Sequence, residues 1–177
     1  MTKQIYQIKI ELQNSKPKIW RRILVNSDIS LSKFHEIIQS AMGWTDSHLH
    51  QFEIGRTCYA PKEFELEDTK STKSVKLFSF LQKEKDKIKY EYDFGDGWVH
   101  NIVLEKILPF DKSVETPKCI AGKRNCPPED CGGIWGYESI LEILANPKHE
   151  EYEDTIERMG DDFDPDYFDL EETNSQF

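Results

Sequence analysis

Long apolar runs, abundant cysteine and concentrated positive charge are what this 177-residue sequence has little of. No stretch approaches the roughly 20 consecutive apolar residues that a membrane helix needs. The opening Met1-Thr2-Lys3-Gln4-Ile5-Tyr6-Gln7 enters a strand-like alternation at once, without the apolar segment of a secretory signal. Cysteine occurs four times, at 58, 119, 126 and 131, too sparsely for a disulfide framework. A cytoplasmic location with reduced thiols is therefore expected. Lys and Arg number 23 against 33 Asp and Glu, a net charge of −10. Such a surface repels phosphate backbones. The mild basic clusters, Lys16 to Arg22 and Lys83 to Lys89, do not reverse this, and Glu84 and Asp86 blunt the second. Nucleic acid and membrane are not expected partners. No Walker loop, dinucleotide fingerprint or nucleophile elbow occurs, so no organic cofactor is expected. Asp162, Asp164 and Asp166 imitate a calcium loop, but Pro165 intervenes. Tyr167 also stands where glycine is required, and Thr173 where glutamate is.

What is present is aromatic and patterned. Aromatic residues make up 12% of the chain and hydrophobic residues 37%, enough to build a core. Tyr6, Ile8, Ile10 and Leu12 alternate with polar residues, the period of a half-buried strand. Asn14 to Pro17 breaks that run, and Ile19 to Val25 forms its hairpin partner. Ser30 is placed to cap a helix in which Leu31, Phe34, Ile37, Ile38 and Ala41 make one apolar stripe, and Gly43 ends it. Strands are expected at His48 to Ile54, at Ile88 to Phe94 and at Trp98 to Leu108. Helices are expected at Tyr137 to Ala145 and Glu150 to Met159, with a short one at Val75 to Leu81. Residues 63–74 and 109–128 read as irregular. The order describes an α+β fold, with a helix on a mixed or antiparallel sheet and a helical C-terminal third. A β-grasp-like roll is one topology with that order. One domain over residues 1–177 is expected, with 161–177 an acidic tail held down by Phe163, Tyr167, Phe168 and Leu170.

The turn at Gly95-Asp96-Gly97 admits two registers. A two-residue turn at Asp96-Gly97 sets Asp93 across from His100, a carboxylate facing an imidazole. A three-residue loop pairs Phe94 with Trp98 and Tyr92 with His100. It puts the rings at 90, 92, 94 and 98 on one face together with His100, and the buried face favours it. His100 then reads as a core histidine bonded to a tyrosine or a carbonyl.

Three functional readings follow. In the first, a non-enzymatic module binds a protein or peptide through Trp44, Trp98, Trp135 and Tyr137 and through acidic surface. In the second, His48 and His50, two apart on a strand, grip one divalent metal with Asp96 and His100 and support hydrolysis. Asp93, Glu129 or Asp130 could complete that shell. In the third, structural zinc is held by Cys119, Cys126 and Cys131, with Cys58, His48, His50 or His100 as fourth ligand. The x6 and x4 spacings lack the usual tight knuckle. The segment Pro127-Pro128-Glu129-Asp130 reads either as the lip of a pocket or as a rigid crossover.

The segments YEYDFGDGWVHNIVLE (90–105), PKCIAGKRNCPPEDCGGIWGYESILEIL (117–144) and FDPDYFDLEETN (163–174) together resemble one family. It is the Ri-plasmid open-reading-frame-three-like family, whose members are also labelled TnpR-like passenger proteins of insertion elements. YQIKIEL, PKIWRRILV, LSKFHEIIQSAMGW and HLHQFEIG fit it as well, so the resemblance covers nearly the whole chain. It implies a small α+β domain of plasmids, mobile elements and chromosomes, and it brings no agreed activity. The resolvase-like label finds no support in the residues. Arginines stand only at 21, 22, 56, 124 and 158, and no basic helical arm follows them.

Overall fold

The structure is a computed structural model that describes residues 3–160 and 162–177. Met1, Thr2 and Asp161, at the start of the expected domain and tail, lie outside the described residues. Eight strands form one sheet: β1 (Gln4–Leu12), β2 (Trp20–Asn26), β3 (His50–Ile54), β4 (Thr57–Ala60), β5 (Thr69–Ser71), β6 (Lys87–Tyr92), β7 (Trp98–Pro109) and β8 (Lys118–Lys123). Their spatial order is β5-β4-β3-β6-β7-β1-β2-β8, and every pairing is antiparallel except β4 with β5. The helices are α1 (Leu31–Met42), α2 (Gly133–Leu144), α3 (Tyr152–Met159) and α4 (Leu170–Ser175).

Alternation in the sequence becomes alternation in burial. Ile8, Ile10 and Leu12 of β1 point into the core, as do Tyr90 and Tyr92 of β6 and Trp98, Ile102 and Leu104 of β7. Helix α1 lies over this face through Leu31, Phe34, Ile37, Ile38, Ala41 and Met42. Each such buried side chain stabilises by about 1.5–3 kcal/mol relative to exposure. Ser30 caps α1 as expected, its Oγ accepting from the Lys33 N–H at 3.1 Å, and Gly43 ends it in the left-handed region.

Between residues 92 and 98 neither expected turn is found. Tyr92 pairs with Trp98 and Tyr90 with His100, across a five-residue loop from Asp93 to Gly97. Asp93 begins the loop with a φ of 56°. Its N–H donates to the Leu49 carbonyl at 2.8 Å, and its carbonyl accepts from Gly97 N–H at 2.6 Å. The register differs by two residues from the three-residue version, so the inward set survives. Phe94 is lost from it and stands 39% exposed. Asp93 does not face His100.

Two strands form where the sequence reads as irregular. β5 is three residues within the polar 63–74 stretch, and β8 extends the sheet beyond β2. The tail closes the β8 edge. The Asn174 side chain accepts from Cys119 N–H at 2.8 Å and donates to Cys119 carbonyl at 2.9 Å, as a neighbouring strand would. Phe168 lies over the buried Arg21 guanidinium at 4.7 Å.

Candidate functional site: a histidine and carboxylate cleft

Helix α1 places His35 and Gln39 one turn apart, on the face that looks at the sheet. Both reach the hydroxyl of Tyr90 on β6, His35 Nδ1 at 2.8 Å and Gln39 Nε2 at 2.8 Å. Gln39 also accepts the Asp46 N–H at 3.0 Å, which fixes the chain just after α1. Asp46 Oδ1 then lies 2.9 Å from His35 Nε2. Read as a proton network, Gln39 donates to the Tyr90 oxygen, the phenol donates to His35 Nδ1, and His35 Nε2–H donates to Asp46.

His50, the first residue of β3, stacks its ring on that of His35, centroids 3.4 Å apart and planes 7° from parallel. It is 4% exposed, and neither of its ring nitrogens has a hydrogen-bond partner among the described residues. Burial, reinforced by His35, lowers its pKa to about 3, so it is a neutral imidazole at neutral pH. Burial also lowers the His35 pKa, against the pull of Asp46. One ligand atom each from His35, Asp46 and His50 lie within 4.8 Å of one another. They sit in a cleft of 560 Å³, walled by Ser32, Glu36, Phe64 and the Glu63–Lys73 ion pair.

A second group adjoins it. His48, also on the cleft, has Nδ1 3.8 Å from Asp93 Oδ2 and Nε2 3.2 Å from Asp130 Oδ1. Residues 126–133 deliver Asp130 because that segment is clipped down at several points. Trp44 Nε1 donates to Pro127 carbonyl at 3.0 Å, and Thr45 Oγ1 donates to Glu129 at 2.5 Å. The Tyr92 hydroxyl donates to the same carboxylate. Gly132 N–H donates to Asp96 Oδ2 at 3.2 Å. Gly133 lies so close to the Asp96 carbonyl that a Cβ would come within 2.2 Å of it.

The expected site residues therefore separate. His48 and His50 both reach the cleft but belong to different groups, because His48 lies in the bend before β3. Asp93 and Asp130 join His48. Asp96 and Glu129 are engaged as fasteners of the 126–133 segment. His100 is fully buried with Trp44 at 5.2 Å and Tyr90 at 5.6 Å between ring centroids, away from either group. Its nitrogens form no well-aligned hydrogen bond among the described residues, while backbone groups of Trp98 and Tyr90 lie close enough to act on its charge. Burial lowers its pKa to about 4, and backbone groups of Trp98 and Tyr90 oppose that only in part. Among the described residues, no cluster of three ligand atoms includes Cys58, Cys119, Cys126 or Cys131. Burial raises the Cys126 pKa strongly and that of Cys131 to about 11, so both are thiols at neutral pH without a metal. The aromatic surface divides as well: Trp44, Trp98 and Tyr137 are core, and Trp135 stands 80% exposed.

His35 and Asp46 escape a reading of the sequence. His35 hides inside an ordinary amphipathic stripe, and Asp46 is one acid among many. The signal that could find them is the pair His35 and Gln39 at i and i+4, polar residues on a face that must be buried. A larger groove of 790 Å³ lies between α2, α3 and Pro165, lined by Leu141, Leu144, Tyr152 and Ile156. Its lining contains no histidine.

An α+β sheet with one helix across it and a polar cleft at the end of that helix defines the class. The chain belongs to the plasmid pRiA4b ORF-3-like protein family, whose model matches residues 4–172. It is 39% identical over 162 residues to the uncharacterized protein y4hQ of Sinorhizobium fredii, covering 90% of this chain and 83% of that one. It also resembles the crystal structure of a protein of unknown function, MM3350 from Methanosarcina mazei Go1. That match has 42% identity and a TM-score of 0.88, over 97% of this chain and 98% of that one.

Proposed function

We propose that this protein binds a divalent transition-metal ion in the α1–β3 cleft and uses it as a Lewis acid for hydrolysis. His35, Asp46 and His50 supply the protein ligands. His50 carries the reading: a buried imidazole, held neutral, with two unpartnered nitrogens beside a second imidazole and a carboxylate. Leaving such a ring unpaired costs about 1–3 kcal/mol, and an ion offsets that cost. Two imidazoles and one carboxylate suit zinc, iron or manganese. Three protein ligands leave a position open to the cleft, where a bound water is acidified. Tyr90 stands behind His35 as the outer partner that fixes its ring. An ion at His35 Nε2 would require the ring's single proton on Nδ1, facing the Tyr90 oxygen, so the imidazole stays neutral.

The alternative of a protein- or peptide-binding module needs exposed rings, and three of the four it relied on are core. Zinc titrated into metal-stripped, untagged full-length protein tests the proposal. His50→Leu is expected to remove one zinc equivalent per chain while the melting temperature is maintained. Equal uptake by wild type and a folded His50→Leu would overturn it.

A further inference from the structure

We infer that His48, Asp93 and Asp130 form a second divalent-cation site beside the first, so that the cleft works with two ions. The inference deepens the hydrolytic reading and rests on it for the use of the second ion, although its own binding can be measured separately.

The geometry of His48 and Asp130 is the first support. Two bonds of about 2.1 Å meeting at one ion hold their ligand atoms roughly 3 Å apart. His48 Nε2 and Asp130 Oδ1 are 3.2 Å apart. Yet Nε2 is a buried atom that makes no aligned hydrogen bond with that carboxylate or any other protein group. The two atoms are close without forming an aligned hydrogen bond, a spacing that a shared cation would bridge. Asp93 adds the third oxygen: one ligand atom from each of the three residues lie within 4.8 Å of one another.

Charge is the second support. Asp93, Asp96, Glu129 and Asp130 come together from two separate loops, and Asp93 is 8% exposed. Among the described residues, no lysine or arginine forms an ion pair with any of the four; His48 is the one basic group paired with Asp93 or Asp130. Concentrated negative charge at a partly buried site is unfavourable without a cation. The loops are fixed partly by these side chains themselves and partly by other contacts. Ser47 N–H donates to the Tyr92 hydroxyl at 2.9 Å, Gly95 N–H donates to Asp93 Oδ1 at 2.9 Å, and Trp44 holds Pro127. The three ligands are thus held in place before an ion arrives. One imidazole and two carboxylates select a divalent ion of mixed nitrogen and oxygen preference, zinc or manganese, over calcium.

Zinc stoichiometry on the metal-stripped, untagged full chain, by elemental analysis and calorimetry, decides it. Wild type is expected to take two ions. His48→Leu should take one and His50→Leu the other one, and the double variant none. Two ions retained by folded His48→Leu overturn the second site. One ion in wild type, lost in His50→Leu and kept in His48→Leu, overturns it too and leaves the hydrolytic reading standing. One ion lost in His48→Leu and kept in His50→Leu does the reverse. No zinc in wild type overturns both. Should His48→Leu fail to fold, Asp130→Asn alters a side chain 76% exposed. It should weaken one of two ions at least tenfold, and unchanged affinity there counts against the site.

Discussion

His50 and His100 face the same phenol from neighbouring strands. Tyr90 on β6 lies 6.0 Å from the ring of His50 on β3 and 5.6 Å from that of His100 on β7. Both imidazoles are buried, neither has an aligned hydrogen bond at its ring nitrogens among the described residues, and burial holds both neutral, although backbone groups of Trp98 and Tyr90 lie close to His100. They differ in what lies on their other side. His50 borders the cleft, next to a second imidazole and a carboxylate. His100 is shut in by Trp44, whose ring meets it edge-on at 5.2 Å and stacks on Tyr92 at 5.0 Å. An unpaired buried imidazole is a binding element only where a ligand can reach it. Elsewhere it is a packed ring that happens to carry two nitrogens.

Removing the partition breaks the comparison most severely. Trp44→Ala takes away the indole that separates His100 from the outside and that donates to Pro127. Large aromatic truncations in a core cost about 3–5 kcal/mol, and the same loss loosens the segment carrying Asp130. Chemical denaturation should show the stability loss, together with weaker zinc binding at the His48 group. A loss under about 1 kcal/mol would mean that the partition contributes little.

Acid sharpens the comparison next. Both pKa values are depressed, to about 4 for His100 and about 3 for His50, from an ordinary 6.5. The unfolded chain therefore binds protons first as pH falls. The stability these rings contribute is complete above about pH 6.5 and declines below it, until the folded rings themselves take up protons near pH 3 to 4. Each ring accounts for on the order of 1 kcal/mol per pH unit in that window. If the proposal holds, saturating zinc should add further stability at neutral pH and be released by acid, which would steepen the decline. Stability measured from pH 7 to 4.5, flat for the metal-free protein, would refute the burial of both rings.

How much of this was legible beforehand varies by element. Helix α1 and strands β1, β6 and β7 carry their periods openly, because each lays one continuous face on the core. β8 was hidden because Lys118 to Lys123 has no alternating apolar set; it pairs through backbone with β2, and Asn174 covers its other edge. The turn after Tyr92 was misjudged by two residues. Asp93 takes a left-handed backbone that sequence preference would have assigned to a glycine, held there by Leu49 carbonyl. Slips of two leave the faces intact, so the inward rings apart from Phe94 stand as expected while their partners change. The cleft was half legible. His48, His50, Asp93 and Asp130 stand out by type, whereas His35 and Asp46 gain meaning only when α1 is laid over Tyr90.

The mildest perturbation separates the two imidazoles most cleanly, because it is the same substitution at both. Leucine has nearly the volume of histidine and no polar atom. At position 100 it removes two poorly aligned nitrogens from a fully buried site, and replacing such groups by an apolar one of similar shape is close to neutral or stabilising, within about 1 kcal/mol. Zinc uptake should be untouched, since no ligand atom of either group comes from His100. The acid-dependent decline should lose about half its slope, because one of the two depressed imidazoles is gone. At position 50 leucine should leave the metal-free stability equally unperturbed, yet one zinc equivalent disappears, and with it the stabilisation that zinc confers. Parallel denaturation of both variants, with and without zinc, reads all of this in one experiment. If His100→Leu forfeits zinc as His50→Leu does, the wall between the two rings does not divide structure from function, and His100 rejoins the site.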